Sequence, residues 1–399
     1  MISPESHSPR ASAVVSQVED TAKAAREAAR RALDELRVSP HLAVVFASFQ
    51  HQPQFDALAT ILSEELATDC IIGCTGESIV AGGQEIEGAP ALTVWLAHLP
   101  GTEVLPMHLK FRANPDGGSF EGWHSSLGRR WPSGSSMLLL GEPFSFPADV
   151  LLARMNEDRP RVGISGGMAS GGWGVGQNRV IVGGRSYDNG AAAAVLHGDT
   201  QMRTVVSQGC RPVGCTLVVT KVEQNVLLEL GGKPALAQLQ EIFGTLTPHE
   251  QGLFRNGLHV GRVINEYQGE FSRGDFLVRN VEGADPKSGA IAVGDYLRVG
   301  QTVQFHVRDA GTADEDLRAM LTAAQADGSA APTAALLFTC NGRGSRLFEA
   351  PHHDAGAVVE TWPGVPVAGF FAQGEIGPVG GKNFLHGFTA SLALFQSRS

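Results

Sequence analysis

The sequence predicts a mixed α/β protein, with repeated strand–helix–strand–strand units forming mixed sheets flanked by helices in two pseudo-symmetric domains. One observation behind this is a pattern near each end: an apolar strand, a glycine turn carrying Gly-Glu, and a second strand. It reads Cys70-Ile-Ile-Gly-Cys-Thr-Gly-Glu77 followed by Ala91–Ala97, and Val365-Pro-Val-Ala-Gly-Phe-Phe-Ala-Gln-Gly-Glu375 followed by Leu385–Leu394. Another is a weaker copy between them, where Val162-Gly-Ile-Ser-Gly-Gly-Met-Ala-Ser170 leads through Val180 to Ala191–Leu196. The third is the placement of the 49 glycines, which gather at the ends of apolar runs, where turns belong. Repetition of this kind predicts modules whose glycine turns converge on a common cleft.

Taken in order, residues 1–15 are rich in Ser and Pro and are expected to be disordered. Residues 16–40 are expected to form an N-terminal amphipathic helix, with Ala22, Ala25, Ala29, Leu33 and Leu36 at helical spacing over Val18–Arg37. His41–Phe49 reads as a buried strand, and Phe55–Ala67 as a helix with Leu58, Ile61, Leu62 and Leu66 on one side. The middle copy starts with the strand at Met137 and a short helix over Ala148–Met155. The last copy starts with Ala334–Phe338, and a segment through Val359 precedes its second strand. Between these copies lie strands at Arg203–Val219, Asn225–Leu230, Leu258–Ile264 and Phe276–Val278, and a strand pair over Asp295–His306. Helices are expected over Pro234–Ile242 and Asp314–Ala324, the latter capped by Thr312. Gly244–His249 is the expected junction between domains spanning 41–243 and 248–396.

Composition narrows the function classes. With 43% apolar and 18% charged residues over 399, the chain is globular and long enough for two or three cores. A net charge of −10 argues against a nucleic-acid surface, which needs a basic stripe. No Lys/Arg block occurs; Arg129, Arg130 and Trp131 form only a short patch, read as a solvated loop. No apolar stretch approaches the ~20 residues that span a bilayer, and residues 1–31 lack a secretory apolar region, so a cytoplasmic location is expected. Five cysteines in a chain this long are expected to be reduced thiols.

Several motifs fail on their chemistry. Gly163-Ile-Ser-Gly-Gly167 matches a nucleophile elbow, but that device needs a helix after the serine, and Met168-Ala-Ser-Gly-Gly-Trp-Gly174 is poor helix. Gly380-Gly-Lys-Asn383 and Gly231-Gly-Lys-Pro234 lack the earlier glycine and the Ser or Thr of a phosphate loop. Cys70/Cys74, Cys210/Cys215 and His352-His-Asp354 lack metal-ligand spacing, and no metal or cofactor is expected. Cys74 and Cys340 each follow an apolar strand beside glycines, where a thiolate nucleophile is presented or a small side chain fills a tight turn.

The strongest polar candidate joins Cys340-Asn-Gly-Arg-Gly344 to Gln373-Gly-Glu375. Arg343, between two glycines, suits a ligand carboxylate, and Glu375 a ligand ammonium. Phe370 and Phe371 supply the apolar wall, while Asn341, Cys340, Gln373, Gly374, Cys74 and Thr75 line the turns. Glu77 is expected at the pseudo-equivalent turn on the opposite side. The competing reading is an internal Arg343–Glu375 ion pair that ties two turns together.

These motifs resemble the FIST sensory domains, a bacterial signalling family whose fold also occurs in a eukaryotic F-box protein. The N-terminal resemblance rests on Gly73-Cys-Thr-Gly-Glu77, Glu142-Pro-Phe-Ser-Phe-Pro147 and Gly166-Gly-Met-Ala-Ser-Gly171. The C-terminal one rests on Val293-Gly-Asp-Tyr-Leu-Arg298, Phe338-Thr-Cys-Asn-Gly-Arg343 and Val367–Gly377. The resemblance implies non-catalytic recognition of a small ligand, with amino acids as the proposed class. No kinase, methyl-accepting, cyclase or F-box segment is read here, so a separate signalling protein is expected as the output partner. A cysteine-dependent enzyme using Cys74 or Cys340 and a protein-interaction scaffold are the alternative classes.

Overall fold

Three strand–helix–strand units recur in the structure, a computed structural model that describes residues 8–115, 117–128 and 131–398. In the first, Leu42–Ser48, the helix Phe55–Leu66 and Ile71–Gly76 form a parallel pair with its crossover. The second uses Ser136–Gly141, Ala148–Asp158 and Gly163–Met168; the third uses Ala334–Cys340, His353–Thr361 and Val367–Ala372. Each unit ends in a strand antiparallel to its first: Leu92–His98, Ala191–Gly198 and Thr389–Ser397. The strands are buried along almost their whole length, as expected where both sheet faces are covered.

Between its second and last strands each repeat makes a hairpin that joins another repeat's sheet. Ile79–Ala81 of the first repeat pairs with Val367–Ala372 of the third. Val180–Val182 of the second pairs with Ile71–Gly76 of the first, and Glu375–Val379 of the third with Gly163–Met168 of the second. The exchange is therefore cyclic.

A glycine stands at the same place in each receiving strand. Gly73, Gly166 and Gly369 pair with Val45, Leu139 and Leu337 on one side and with Ile181, Ile376 and Val80 of the incoming hairpin on the other. A Cβ at these glycines falls 2.4, 1.9 and 1.8 Å from the carbonyl oxygens of Val45, Leu139 and Leu337. No side chain fits there. Aromatic packing joins the first and third repeats, with Phe46 stacked on Phe370 at 5.0 Å and Trp95 against Phe395 at 5.0 Å.

The repeats belong to one compact unit, made of residues up to Val206, Arg318–Leu385 and the tail from Thr389. Its helix Thr21–Leu36 is capped by the Asp20 side chain, which accepts from Lys23 N–H at 2.7 Å, and ends at Arg37 in the left-handed conformation. Ala24, Ala25, Ala28, Ala29 and Ala32 form its buried face.

The second compact unit, Ser207–Leu317 with His386–Phe388, is a closed antiparallel barrel. Its six strands run Cys210–Glu223, Thr302–Arg308, Leu258–Val263, Phe276–Asp285, Ala290–Val293 and Val226–Leu230, and the last pairs back to the first. A register shift between Val213 and Leu217, where Gly214 adopts φ +67°, bends the first strand. Val213, Val260, Ile291, Val303 and Phe305 are among the residues filling the core, and Leu239 and Ile242 of the helix Ala235–Thr245 pack on it.

Several expectations need correction. Arg10–Ser16 is a strand paired with Leu92–His98, because Val14 and its neighbours bury an edge that disorder would leave open; residues 1–7 lie outside the described residues. Thr312 is not a cap. It lies inside the helix Ala310–Ala326 and donates to Asp309 at 2.7 Å. Asp295–Gln301 is not strand; the strands flanking it are Ala290–Val293 and Thr302–Arg308. The expected junction at Gly244–His249 covers the end of the helix Ala235–Thr245, the two residues Leu246 and Thr247, and the start of the helix Pro248–Asn256. There Thr247 and Glu250 make a reciprocal capping box, a signal present in Thr-Pro-His-Glu. Arg129 and Arg130 lie outside the described residues.

Replacing Gly369 by alanine should lower the unfolding free energy by at least about 1–3 kcal/mol, because the clash is with backbone. Gly356→Ala, in the neighbouring helix with open space around its Cβ, should instead raise it by roughly 0.5–1 kcal/mol. Denaturant titration of the two variants checks both signs.

Candidate functional site

The parallel strand pairs of the repeats end at a cleft of about 540 Å³. Phe49 and Gln50 follow the first strand of repeat one, Glu77 and Ser78 its second strand, and Gly171 and Trp173 the second strand of repeat two. Repeat three contributes Phe371, Asn341, Ser345 and Arg346. Ligands of open α/β sheets collect at such carboxyl-terminal strand ends, where helices and loops diverge.

The loop after Ala334–Cys340 sends two arginines in opposite directions. Gly344 makes this possible: it adopts φ +59°, and a Cβ there would meet Phe371 at 2.6 Å and Glu87 at 2.8 Å. On the outer side, Arg346 is half exposed, pairs with Glu77, and donates to the Asn341 carbonyl at 2.8 Å. Glu87 receives Ser345 N–H at 3.0 Å and Ser345 Oγ–H at 2.6 Å. Glu77 N–H donates to Ser170 Oγ at 2.8 Å, and that hydroxyl donates to the Phe371 carbonyl. Glu77 Oε2 and Asn341 Oδ1 are buried without a hydrogen-bond partner among the described residues.

On the inner side, Arg343 is 1% exposed and grips Asp354 through Nε at 2.6 Å and Nη2 at 2.8 Å. Its guanidinium lies over Phe348 at 5.2 Å, which in turn stacks on His353. Burial works to raise Asp354, but the Arg343 charge and hydrogen bonds, with those of His353 and Thr339, hold its carboxyl well below the usual range. Glu85 accepts the N–H groups of Asp354 and Ala355, at 2.9 and 3.0 Å, at the start of the helix His353–Thr361; burial and the Asp354 charge push it up to about 7. Glu375 is buried against Thr389, which donates from N at 3.1 Å and Oγ1 at 2.8 Å, and burial pushes it up to about 8.

The expected site therefore divides. Glu77, Asn341 and Phe371 meet in the cleft. Arg343 does not reach it: the guanidinium is sealed in packed protein and its Nε/Nη2 edge is spent on Asp354, so it is not available to a ligand carboxylate. Asp354, not Glu375, is the partner in its ion pair. Glu375 is buried behind the turn, so the ammonium-binding role expected of it also falls. Glu77 and Glu375 are not equivalent, because Val80 and Ile376 occupy matching register positions, which sets Glu375 against Ile79 and Glu77 against Gln373.

The remaining residues sit elsewhere. Phe370 and Cys74 are core residues, and burial pushes the Cys74 thiol well up, which disfavours a thiolate nucleophile. Thr75 is buried and accepts Arg179 N–H at 3.1 Å. Cys340 is half-buried beside Glu375. Gln373 is exposed and Gly374 buried, both on the segment joining the third repeat to its exported hairpin. Ser165 of the elbow-like motif is buried against Thr204, in a strand with no helix after it. Sequence reasoning missed Arg346, Glu87, Ser345 and Trp173. Arg346 was readable, three residues from Arg343 in a glycine loop; Glu87 was not, since only the exported hairpin brings it near Ser345.

Removing one partner of a buried pair leaves the other charge uncompensated, so Arg343→Ala should destabilise by about 3–5 kcal/mol. Chemical denaturation measures this. Glu375 binds its proton more tightly folded than unfolded, so its contribution is fully present below about pH 4.5 and is lost as pH rises through about 8. Glu85 acts with the same sign. The unfolding free energy should accordingly fall less between about pH 5 and pH 8 in Glu375→Gln than in the wild type.

No helix among the described residues is long and apolar enough to cross a membrane. Family models match at two adjoining segments: the FIST N domain over residues 41–233 and the FIST C domain over residues 235–378. An uncharacterized protein of Mycobacterium tuberculosis strain H37Rv, Rv0628c, is 42% identical over 382 residues, covering 96% of this chain and 98% of its own. A second similar chain, the uncharacterized protein Mb0898c of Mycobacterium bovis, is 40% identical over 380 residues, covering 94% and 96%. With nearly its whole length matched by these two domains, the chain belongs to the FIST family, whose domains are sensory modules of signalling proteins.

Proposed function

We propose that this protein binds a small zwitterionic metabolite, of the amino-acid class, in the cleft at the strand ends, and reports its occupancy to a separate signalling partner. The observation that supports this most is the pair of buried acceptors, Glu77 Oε2 and Asn341 Oδ1, that lack donors in a cleft also lined by the half-exposed Arg346. Leaving such acceptors unsatisfied costs about 1–3 kcal/mol each. A ligand ammonium supplies the missing donors, and the guanidinium of Arg346 takes the ligand carboxylate in a fork geometry that lysine lacks. Phe49 and Phe371 provide the apolar wall. The volume falls within the range of small-molecule sites.

Binding alters output only to the extent that the ligand prefers one arrangement of the protein over another. The loop from Asn341 to Arg346 is well placed to transmit it, because its inner face is fixed by Arg343 and its outer face holds the cleft's cation.

Thermal-shift screening against free amino acids tests the reading. A ligand at 100 times its Kd adds about 2.7 kcal/mol of apparent stability. Arg346→Ala and Glu77→Gln should each weaken binding by roughly 10- to 100-fold, as expected for losing a charged hydrogen bond, while Arg346→Lys recovers part of it. Retention of full affinity in both variants overturns the site.

A further inference from the structure

We infer that the segment Gly171–Gln177 is a lid whose Trp173 closes over the ligand's ammonium, opposite Glu77. This rests on the cleft being the ligand site.

Trp173 lines the cleft yet is 79% exposed, and Val175 beside it is 79% exposed as well. A large indole left in water at the mouth of a cleft forgoes burial that aromatic side chains ordinarily obtain. The segment around it alternates with glycine, at 171, 172, 174 and 176, so its tip has little side-chain packing to hold it in one place. Gly171 and Gly176 adopt φ +95° and +75°.

The base, by contrast, is clamped. Asn178 is fully buried, accepts Gly172 N–H through Oδ1 at 2.9 Å, and turns its amide to Glu142 and to the Gly172 carbonyl. Glu142 is itself buried and accepts Ser145 Oγ–H at 2.7 Å and Phe144 N–H at 3.1 Å. Gly171 packs on Phe49, where a Cβ would come within 2.7 Å. Among the described residues the tip is held by two hydrogen bonds, Trp173 N–H to Gln177 Oε1 at 2.8 Å and Gln177 N–H to the Gly174 carbonyl at 3.1 Å. A fixed hinge with an apolar tip is what a lid requires.

The occupant of the closed tip follows from the cleft's charges. Glu77 and Glu87 outnumber Arg346 among the lining charges, so the ligand's positive end is the one held most strongly. Tryptophan has the best aromatic face for covering a cation. Closing it removes water from the Glu77 side and strengthens that attraction.

The test is binding of the twenty free amino acids and their decarboxylated amines, followed by calorimetry and tryptophan fluorescence. In the wild type a binding probe should blue-shift the emission, and the shift should vanish in Trp173→Phe, since of the five tryptophans Trp95 and Trp362 are already buried and Trp123 and Trp131 do not line the cleft. Trp173→Ala should keep the ligand-free melting temperature and lose at least tenfold in affinity, Trp173→Leu should lose a similar amount for amine probes, and Trp173→Phe should retain most of it. If Glu77→Gln loses binding while Trp173→Ala stays within twofold of wild type, the lid is overturned and the cleft stands. If no probe binds the wild type, both are overturned.

Discussion

The receiving strand of each repeat has one edge that its own repeat leaves open, and a hairpin from elsewhere in the chain covers it. An open apolar strand edge is an aggregation hazard and a row of unpaired backbone groups. Here every repeat covers another and is covered in turn, so none of the three sheets is complete without the other repeats. The glycines at 73, 166 and 369 sit at the point where this closure happens, between the parallel partner and the incoming hairpin. The cleft inherits its composition from the same exchange. It gathers residues from strand ends of all three repeats because the hairpins hold those ends together.

Within the third repeat a buried polar network supports the loop that faces the cleft. Arg343 and Asp354 neutralise each other, His353 and Thr339 complete the acceptor set of Asp354, and Glu85 caps the helix that carries it. Such a network contributes little net stability compared with apolar packing, but breaking it is costly, and that asymmetry fixes the backbone between residues 341 and 346. Arg346 then points outward by default. A guanidinium next to a fixed loop loses less entropy on meeting a ligand than one on a mobile chain.

The barrel responds to pH in the opposite sense. His259 and His306 are buried on neighbouring strands, and burial pushes both down to about 4, so their neutral forms are kept and the barrel gains stability as pH rises from there towards the ordinary histidine value. The buried Glu85 and Glu375 of the repeat unit instead lose their contribution as pH rises from about 4.5 through about 7 and 8. The two units thus place different groups under the same physical rule.

Local patterning made much of this protein legible. The helices at Thr21–Leu36 and Phe55–Leu66 follow from apolar spacing, the three copies of the strand–helix–strand unit from their repeated apolar runs and glycines, and the motifs at Gly73, Gly166 and Phe338 from their family resemblance. These are properties of neighbours in the chain, so the chain alone carries them. Which sheet a hairpin joins, that six strands close into a barrel, and that Arg343 turns inward while Arg346 turns outward were decided by the tertiary structure. Strand pairing across hundreds of residues leaves no periodic trace, and the burial of a charge depends on a counter-charge such as Asp354 that only folding brings to it.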